Sequence, residues 1–148
     1  MTQGKLVIGW RLGECMEEPD LAALYVFNAV FGGGSTSKLF LNVREKLQLC
    51  YYAGSLVDTH KGLLLVSSGM EFTDREAAEA EIFAQLEAMR QGEITDEELA
   101  AARSCVASDL RSLVDSQGEL EGFYLARALD GPDCSPLELA ELCEDVTK

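Results

Sequence analysis

The spacing of hydrophobic residues changes several times along the chain, and each spacing predicts one element of secondary structure. Apolar residues alternate with other residues over residues 5–12, which is typical of a strand with one buried face. Residues 21–31 are apolar on most sides and predict a buried helix that begins near Pro19 and ends at three consecutive glycines. A second helix is predicted from residue 38 to about residue 47, with Leu39, Phe40, Val43 and Leu47 on one apolar stripe.

The second half of the chain begins with two strand patterns and is helical afterwards. Residues 50–58 and 62–70 predict two strands, and the three residues between them are short enough for a hairpin. Thr73 and Thr95 are each followed three residues later by glutamate, which predicts a capping box at the start of two helices. Further helices are predicted over residues 117–130 and from Pro136 onward.

This order of elements predicts the fold class. One strand, two helices, a β-hairpin and then helices indicate an α+β fold, in which helices cover one face of an antiparallel sheet. The chain has 148 residues and contains neither an internal repeat nor a linker. We therefore expect residues 1–148 to form a single domain.

The charge balance excludes several classes of partner. Acidic residues outnumber basic ones 26 to 12, which gives a net charge of −14. Such a surface repels phosphate backbones and anionic membranes, so we expect no nucleic-acid and no membrane partner. No apolar run approaches the ~20 residues needed to span a bilayer, and the first residues lack the apolar core of a signal peptide. The expected location is cytoplasmic.

The metal-ligating residue types are scarce. The chain has one histidine, His60, and five cysteines without a CxxC spacing. Neither HExxH nor HxxEH occurs, although a catalytic zinc usually has three protein ligands. We therefore expect no metal site in this chain, and reduced cysteines that are mostly buried.

Two features near the middle of the chain are candidates for chemistry. The glycine corner and the hydroxyl residues after it, residues 32–37, could hold an anion, but they match no nucleotide-binding motif and favour a tight corner between helices. Arg44 near a helix end and Tyr51 at a strand start could together donate hydrogen bonds to a carbonyl or an oxyanion. The alternative is that Arg44 belongs to a solvated helix end. Of Tyr51 and Tyr52, we expect one in the core and the other presenting its hydroxyl.

The same region resembles a known family. The sequence FGGGSTSKLFLNVREK at residues 31–46, followed by LCYY at residues 49–52, is similar to the pitrilysin/insulinase family of zinc metallopeptidases, which have a LuxS/MPP-like fold. The resemblance is to the C-terminal, non-zinc-binding domain and covers nearly the whole chain. Leu47 and Gln48 stand where the family usually has Arg-Gly, and the chain ends where family members continue. The resemblance implies a fragment of that domain.

The resemblance also implies a function and a set of site residues. This half of the peptidase faces the substrate, contributes peptide binding and carbonyl or oxyanion contacts, and is not catalytic by itself. Arg44 and Tyr51, seven residues apart, would be the substrate-binding residues, and this fragment would hold no catalytic residue. No cofactor is expected in this chain, and zinc is expected in the missing N-terminal half.

The expected partners follow from the same resemblance. They are a peptide substrate and either the N-terminal peptidase half or an active paralogue, with homo- or hetero-oligomeric assembly left open. The alternative function is a catalytically inactive paralogue that acts as a scaffold or regulatory subunit for an active partner. An HxxEH motif in the N-terminal half would favour the peptidase, and degraded zinc ligands would favour the scaffold.

Overall fold

A computed structural model of the chain describes residues 4–13, 18–130 and 133–148. Within these residues the fold has the α+β class that the sequence predicts, with one three-stranded sheet and a layer of helices. A π-helix at Leu39–Lys46 and two 3₁₀ turns, Phe72–Asp74 and Leu113–Asp115, complete the elements. The strands and α-helices are, in chain order, β1 (Gly4–Arg11), α1 (Glu18–Phe31), β2 (Tyr52–Asp58), β3 (Leu63–Met70), α2 (Arg75–Arg90), α3 (Asp96–Ser112), α4 (Gln117–Asp130) and α5 (Pro136–Asp145).

The sheet is antiparallel throughout and has the strand order β1-β3-β2, so β3 is the central strand. Its inner face turns Leu6, Ile8 and Trp10 of β1 toward the helices, where they pack against the core. Ile8 lies opposite Val66 in the register, and Val66 is buried. Because successive side chains of a strand point to opposite faces, β1 is buried on one face only, as its sequence predicts.

The helical layer closes over this inner face. α1 packs against β2, α3 and α5, and α3 packs against α5. The Trp10 and Phe83 rings meet edge to face, with centroids 5.6 Å apart, and connect β1 to α2. The core includes these fully buried large side chains: Leu21, Phe31, Leu39, Met70, Ile82 and Leu139.

The second predicted helix is a π-helix rather than an α-helix. The N–H of Leu47 donates to the carbonyl oxygen of Asn42 at 3.1 Å, which is the i to i−5 bond of a π-helix. Leu39 and Val43 are buried as predicted, but Leu47 is exposed, because the wider turn rotates it away from the apolar stripe. Short π-helices occur frequently at functional sites.

The helix starts agree with the capping predictions at one position and differ at another. Thr95 accepts from the N–H of Glu98 at 3.1 Å, and the Glu98 carboxylate accepts from the N–H of Thr95, so the predicted capping box at α3 is confirmed. The capping box predicted at Thr73 is wrong, because a 3₁₀ turn lies there and the helix cap is Asp74, whose side chain makes no capping bond. A further capping box, absent from the prediction, starts α5.

The glycine corner after α1 is tight because it touches the sheet. The carbonyl oxygen of Gly32 accepts from the N–H of Ser55 on β2 at 2.9 Å, and a Cβ on Gly32 would lie 2.5 Å from that nitrogen. The Ser55 hydroxyl donates to Asn28 Oδ1 at 2.7 Å and adds a second bond between α1 and β2. The described glycines with positive φ lie elsewhere in the chain, so this corner needs glycine for close approach and not for a left-handed backbone.

A partly buried ion pair connects the same corner to α3. The Lys38 ammonium lies 3.0 and 3.1 Å from the two carboxylate oxygens of Glu98, and Lys38 is only 9% exposed. Burial raises the pKa of Glu98, but the bonds from Thr95 and Lys38 outweigh burial and hold the pKa below its ordinary value. Since the carboxylate also caps α3, this one side chain fixes both the helix start and its position against the corner.

Replacing Gly32 should be far more costly than replacing Gly34. Gly32→Ala places a methyl group against the β2 backbone, so we expect it to lower the free energy of unfolding by about 2–3 kcal/mol. Gly34→Ala is the matched control, because a Cβ there meets nothing within 4 Å, and its effect should stay within about 0.5 kcal/mol. Urea unfolding followed by circular dichroism measures both values. Equal stability of the two variants would contradict the close contact.

Candidate functional site

Arg44 lies on the π-helix, and its side chain is partly exposed. Its Cζ atom is 4.6 Å from the centroid of the Phe40 ring, which is a cation–π contact one turn earlier on the same helix. Its Nη1 is 3.6 Å from Glu45 Oε1, a long contact between exposed groups that contributes little. The side chain is 40% exposed, so part of the guanidinium group is open to solvent.

Tyr51 precedes β2, and both its backbone N–H and its side-chain hydroxyl donate hydrogen bonds. Its N–H donates to the carbonyl oxygen of Gly69 at 2.7 Å, and its hydroxyl donates to Oε1 of Glu71, just after β3. The ring is 48% exposed. The hydrogen bond to Glu71 raises the pKa of Tyr51, and the charges of Glu71 and Asp74 act in the same direction, because a nearby carboxylate disfavours the phenolate. Tyr51 therefore remains a neutral hydroxyl donor near neutral pH.

The charge of Arg44 acts on Cys50, the residue before Tyr51, but Arg44 is not among the groups that shift the pKa of Tyr51. Burial raises the pKa of the Cys50 thiol, while a hydrogen bond with Ser68 and the positive charge of Arg44 act against it. Arg44 is thus within electrostatic range of the residue next to Tyr51. No hydrogen bond between the Arg44 and Tyr51 side chains occurs in the part of the chain that the structure describes. That both side chains serve one substrate stays a prediction.

The expectation that one tyrosine of the pair lies in the core is wrong. Tyr51 and Tyr52 are both exposed, and the buried inward position of β2 belongs to Ala53. The Tyr52 ring lies over Gly69 on the outer face of the sheet, where a Cβ on Gly69 would be 2.3 Å from Tyr52 Cε1. A glycine inside a strand pattern often marks such a close approach, and Gly69 is the signal that sequence reasoning missed.

Among the helices that the structure describes, none covers the outer face of the sheet. We call it the open face. Val7 is 64% exposed there, and the neighbouring strands contribute Leu56 and Leu65 in one row with Gly9. Its strand residues follow from the register and are, by strand, Lys5, Val7, Gly9 and Arg11; Tyr52, Gly54, Leu56 and Asp58; Leu63, Leu65, Ser67 and Gly69. The alternation of residues in the sequence predicts that one face of the sheet points outward. It does not predict that the centre of this face is apolar.

The residues that the structure describes do not fit a zinc ion. No group of three or more histidine, cysteine, aspartate or glutamate side chains could hold a metal within residues 4–13, 18–130 and 133–148. Cys143 is buried, and burial raises the pKa of its thiol to about 11, so it remains a neutral thiol. Cys134 is also buried, whereas Cys50 is half-buried and Cys105 exposed. The expectation of mostly buried cysteines therefore holds for two of these four, and Cys15 lies outside the described residues.

Comparison with known proteins shows the family. The family model described as the Peptidase M16 inactive domain matches residues 1–105. The "Probable inactive metalloprotease YmfF" of Bacillus subtilis (strain 168) is 38% identical over 148 residues, which is 100% of this chain and 35% of that protein. The chain therefore spans about a third of the length of this relative. It belongs to the family of peptidase M16 inactive domains.

Solved structures agree with this assignment. A conserved protein from Enterococcus faecalis V583 matches with a TM-score of 0.87 and 32% identity, over 99% of this chain and 35% of that one. A protease from Helicobacter pylori has the same fold, with a TM-score of 0.85, 21% identity, and coverage of 98% and 35%. The resemblance to the non-zinc-binding domain of zinc metallopeptidases is thus confirmed, and the domain is the non-catalytic one of zinc-protease-like proteins. Among the described helices, none has the length and apolar character required to cross a membrane.

Removal of the Glu71 carboxylate should make Tyr51 ionise more easily. In Glu71→Gln the accepting charge is lost, so the pKa of Tyr51 should fall toward the ordinary value of about 10. An NMR titration of ring-labelled tyrosine measures the shift, and the signal missing from Tyr51→Phe assigns the resonance. Glu76→Gln on the first turn of α2 is the control and should leave the titration unchanged. An unaltered Tyr51 titration in Glu71→Gln would exclude the hydrogen bond.

Proposed function

We propose that this chain is the substrate-facing, non-metal half of a zinc-dependent peptidase of the pitrilysin/insulinase type. In this role it binds the peptide and contacts its carbonyl groups but does not cleave it. The observation that supports the proposal is the exposure of two potential donors, Tyr51 just before β2 and Arg44 on the π-helix. The Tyr51 hydroxyl stays neutral and donates to Glu71, and the Arg44 guanidinium makes one long ion pair, with Glu45, among the described residues.

The two donors suit a carbonyl oxygen that gains negative charge during peptide hydrolysis. Donors held by the protein stabilise such charge more than water does, because they reorganise less than solvent as the charge develops. In the free chain the Tyr51 hydroxyl donates to Glu71. When a peptide binds, this donation passes to the substrate carbonyl, and the Glu71 carboxylate becomes able to accept from a peptide N–H. Arg44 adds a planar guanidinium group whose N–H donors suit the same oxygen.

The remaining chemistry is proposed to lie outside this chain. Residues 1–148 would form one domain within the C-terminal half of a longer protein, with the zinc ligands in the N-terminal half. The coverage of about one third of YmfF supports a longer parent protein. The partners would be a peptide substrate and that N-terminal half, or an active paralogue in a homo- or hetero-oligomer. The proposed location is cytoplasmic.

A second candidate function is a scaffold or regulatory subunit. It is favoured by the name of the Bacillus subtilis relative, which describes that protein as an inactive metalloprotease. The same domain would then be kept for assembly with an active paralogue, and the exposed Arg44 and Tyr51 would have no catalytic consequence. Intact zinc ligands in the N-terminal half of the parent protein would favour the peptidase, and degraded ligands would favour the scaffold.

Substitution of the two donors in the full-length protein tests the proposal. Arg44→Ala and Tyr51→Phe should each lower kcat/KM for peptide hydrolysis by about 10- to 100-fold, since each removes a hydrogen bond to a charged transition state. Neither side chain is in the core, so the melting temperature should change little. Arg90→Ala on α2 and Tyr124→Phe on α4 are matched controls on exposed helical positions. Unchanged turnover in both test variants, or a lowered melting temperature in both, would contradict the assignment.

A further inference from the structure

A cavity of about 340 Å³ lies at one end of the sheet, between the start of β1 and the turn that leads into α2. It is lined by backbone and side chains from both segments. The side chains important for its chemistry are Lys5, Val7, Met70, Phe72 and Arg75. None of them belongs to the pair of donors, Arg44 and Tyr51, described above.

The lining carries positive charge in a strongly acidic protein. Its residues include two cations, Lys5 and Arg75, and no acid, although the chain has 26 acidic and 12 basic residues. Lys5 makes no ion pair within the described part of the chain, and Arg75 Nη2 is 3.6 Å from Glu79 Oε2 in a long, exposed pair. Both cations are therefore available for an anionic group from another molecule.

The same cavity has apolar walls that are open to solvent. Phe72 is 66% exposed, and its ring lies against the backbone of Gly4, where an added Cβ would be 3.3 Å from Phe72 Cε1. Val7 forms another exposed wall, and Met70 is buried beneath them. An exposed aromatic ring beside a cavity with few polar groups is typical of a small-ligand or side-chain site.

The cavity lies where an extended peptide bound along β1 would end. Lys5 and Val7 belong both to the cavity and to the open face, so a peptide that lies along the outward row of β1 reaches the cavity at its end. The 3₁₀ turn that contains Phe72 and the first residue of α2, Arg75, stand at that end of the sheet. A site at the end of an extended path, with cations and apolar walls together, fits the last residue of a peptide.

We propose that this cavity binds the carboxyl-terminal residue of a peptide. Lys5 and Arg75 bind the α-carboxylate, and Val7 and Phe72 contact an apolar terminal side chain. The proposal rests on the peptide-binding role proposed above and adds the substrate class, namely peptides with a free, apolar C terminus.

Binding to the 148-residue chain tests the proposal without any cleavage. The probe is an N-terminally labelled peptide, Gly-Ser-Gly-Ser-Ala-Leu, with a free carboxylate, and its C-terminal amide is the comparison. Fluorescence anisotropy should give a Kd at least about tenfold lower for the acid than for the amide, since a charge-assisted contact is lost in the amide. Lys5→Gln and Arg75→Gln should each weaken binding of the acid about tenfold and leave the circular dichroism spectrum unchanged.

Matched controls separate this site from general electrostatic attraction. Arg11→Gln removes the same charge from the other end of the outward row of β1 and should change Kd less than twofold. Phe72→Ala should weaken the binding of the leucine-terminated peptide but not the binding of a glycine-terminated peptide. The proposal would be overturned by equal binding of the acid and the amide, or by a loss of binding in Arg11→Gln as large as in Lys5→Gln. It would also be overturned by no binding at about 1 mM peptide, or by equally tight binding of an amidated peptide with an internal aspartate.

The failure of this proposal and that of the proposed function can be told apart. The proposed function is tested by the turnover of Arg44→Ala and Tyr51→Phe in the full-length protein, whereas the C-terminal site is tested by the ratio of the Kd values for acid and amide. If those variants have normal turnover in the full-length protein while Lys5→Gln still weakens binding, the C-terminal site stands and the donor assignment fails. If turnover falls as predicted and the acid and amide bind equally, the C-terminal site alone is refuted.

Discussion

The close approach of Gly32 to Ser55 is the contact on which the arrangement of the site depends. It joins the end of α1 to β2 through a backbone hydrogen bond at 2.9 Å and leaves no space for a side chain at residue 32. The chain then turns back through the π-helix and enters β2 after the short connection formed by residues 47–51. Arg44 and Tyr51 lie on this return path, so the glycine that permits the contact also determines where both donors lie.

The helical side of the corner is fixed by a second set of interactions with a different physical origin. Lys38 and Glu98 form a partly buried ion pair, and the same carboxylate caps α3. Breaking a fully buried pair costs ~3–5 kcal/mol, and less where water screens one partner. The corner therefore contacts the sheet through close backbone packing and contacts α3 through an ion pair. Polar groups on the other side of the sheet, including Lys5 and Arg11, are left exposed to solvent.

Much of the fold could be predicted from the sequence because local patterns and tertiary packing agree. The alternation in β1, the glycine corner after α1 and the capping box at Thr95 each specify one element, and each is confirmed within a few residues. The type of the second helix could not be predicted, because the i to i−5 bond from Leu47 to Asn42 leaves no signature in the hydrophobic spacing. The Thr73 prediction failed because the 3₁₀ turn at Phe72–Asp74 takes the place of the expected cap.

The sequence suggests Arg44 and Tyr51 as site residues, which stays a prediction, but it does not predict their contacts. The hairpin has Asp58 opposite Leu63, with four residues between them, where the sequence predicts three. In an antiparallel pair a shift of one residue changes which residues face each other, so the partner of Tyr51 could not be derived. The observed register pairs Tyr52 with Gly69, and this brings Glu71 to the Tyr51 hydroxyl. The open face and its cavity depend on the same register.

The central proposal is that this domain binds peptides but does not cleave them, and that the zinc for cleavage lies in the N-terminal half. The most direct test of the absence of cleavage is mass spectrometry of a peptide library after incubation with the purified chain, with and without added zinc. The account predicts that every peptide is recovered intact, because the described residues contain no group of three or more side chains that could hold a metal. Cleavage that follows the chain through purification and is abolished by a chelator would contradict it.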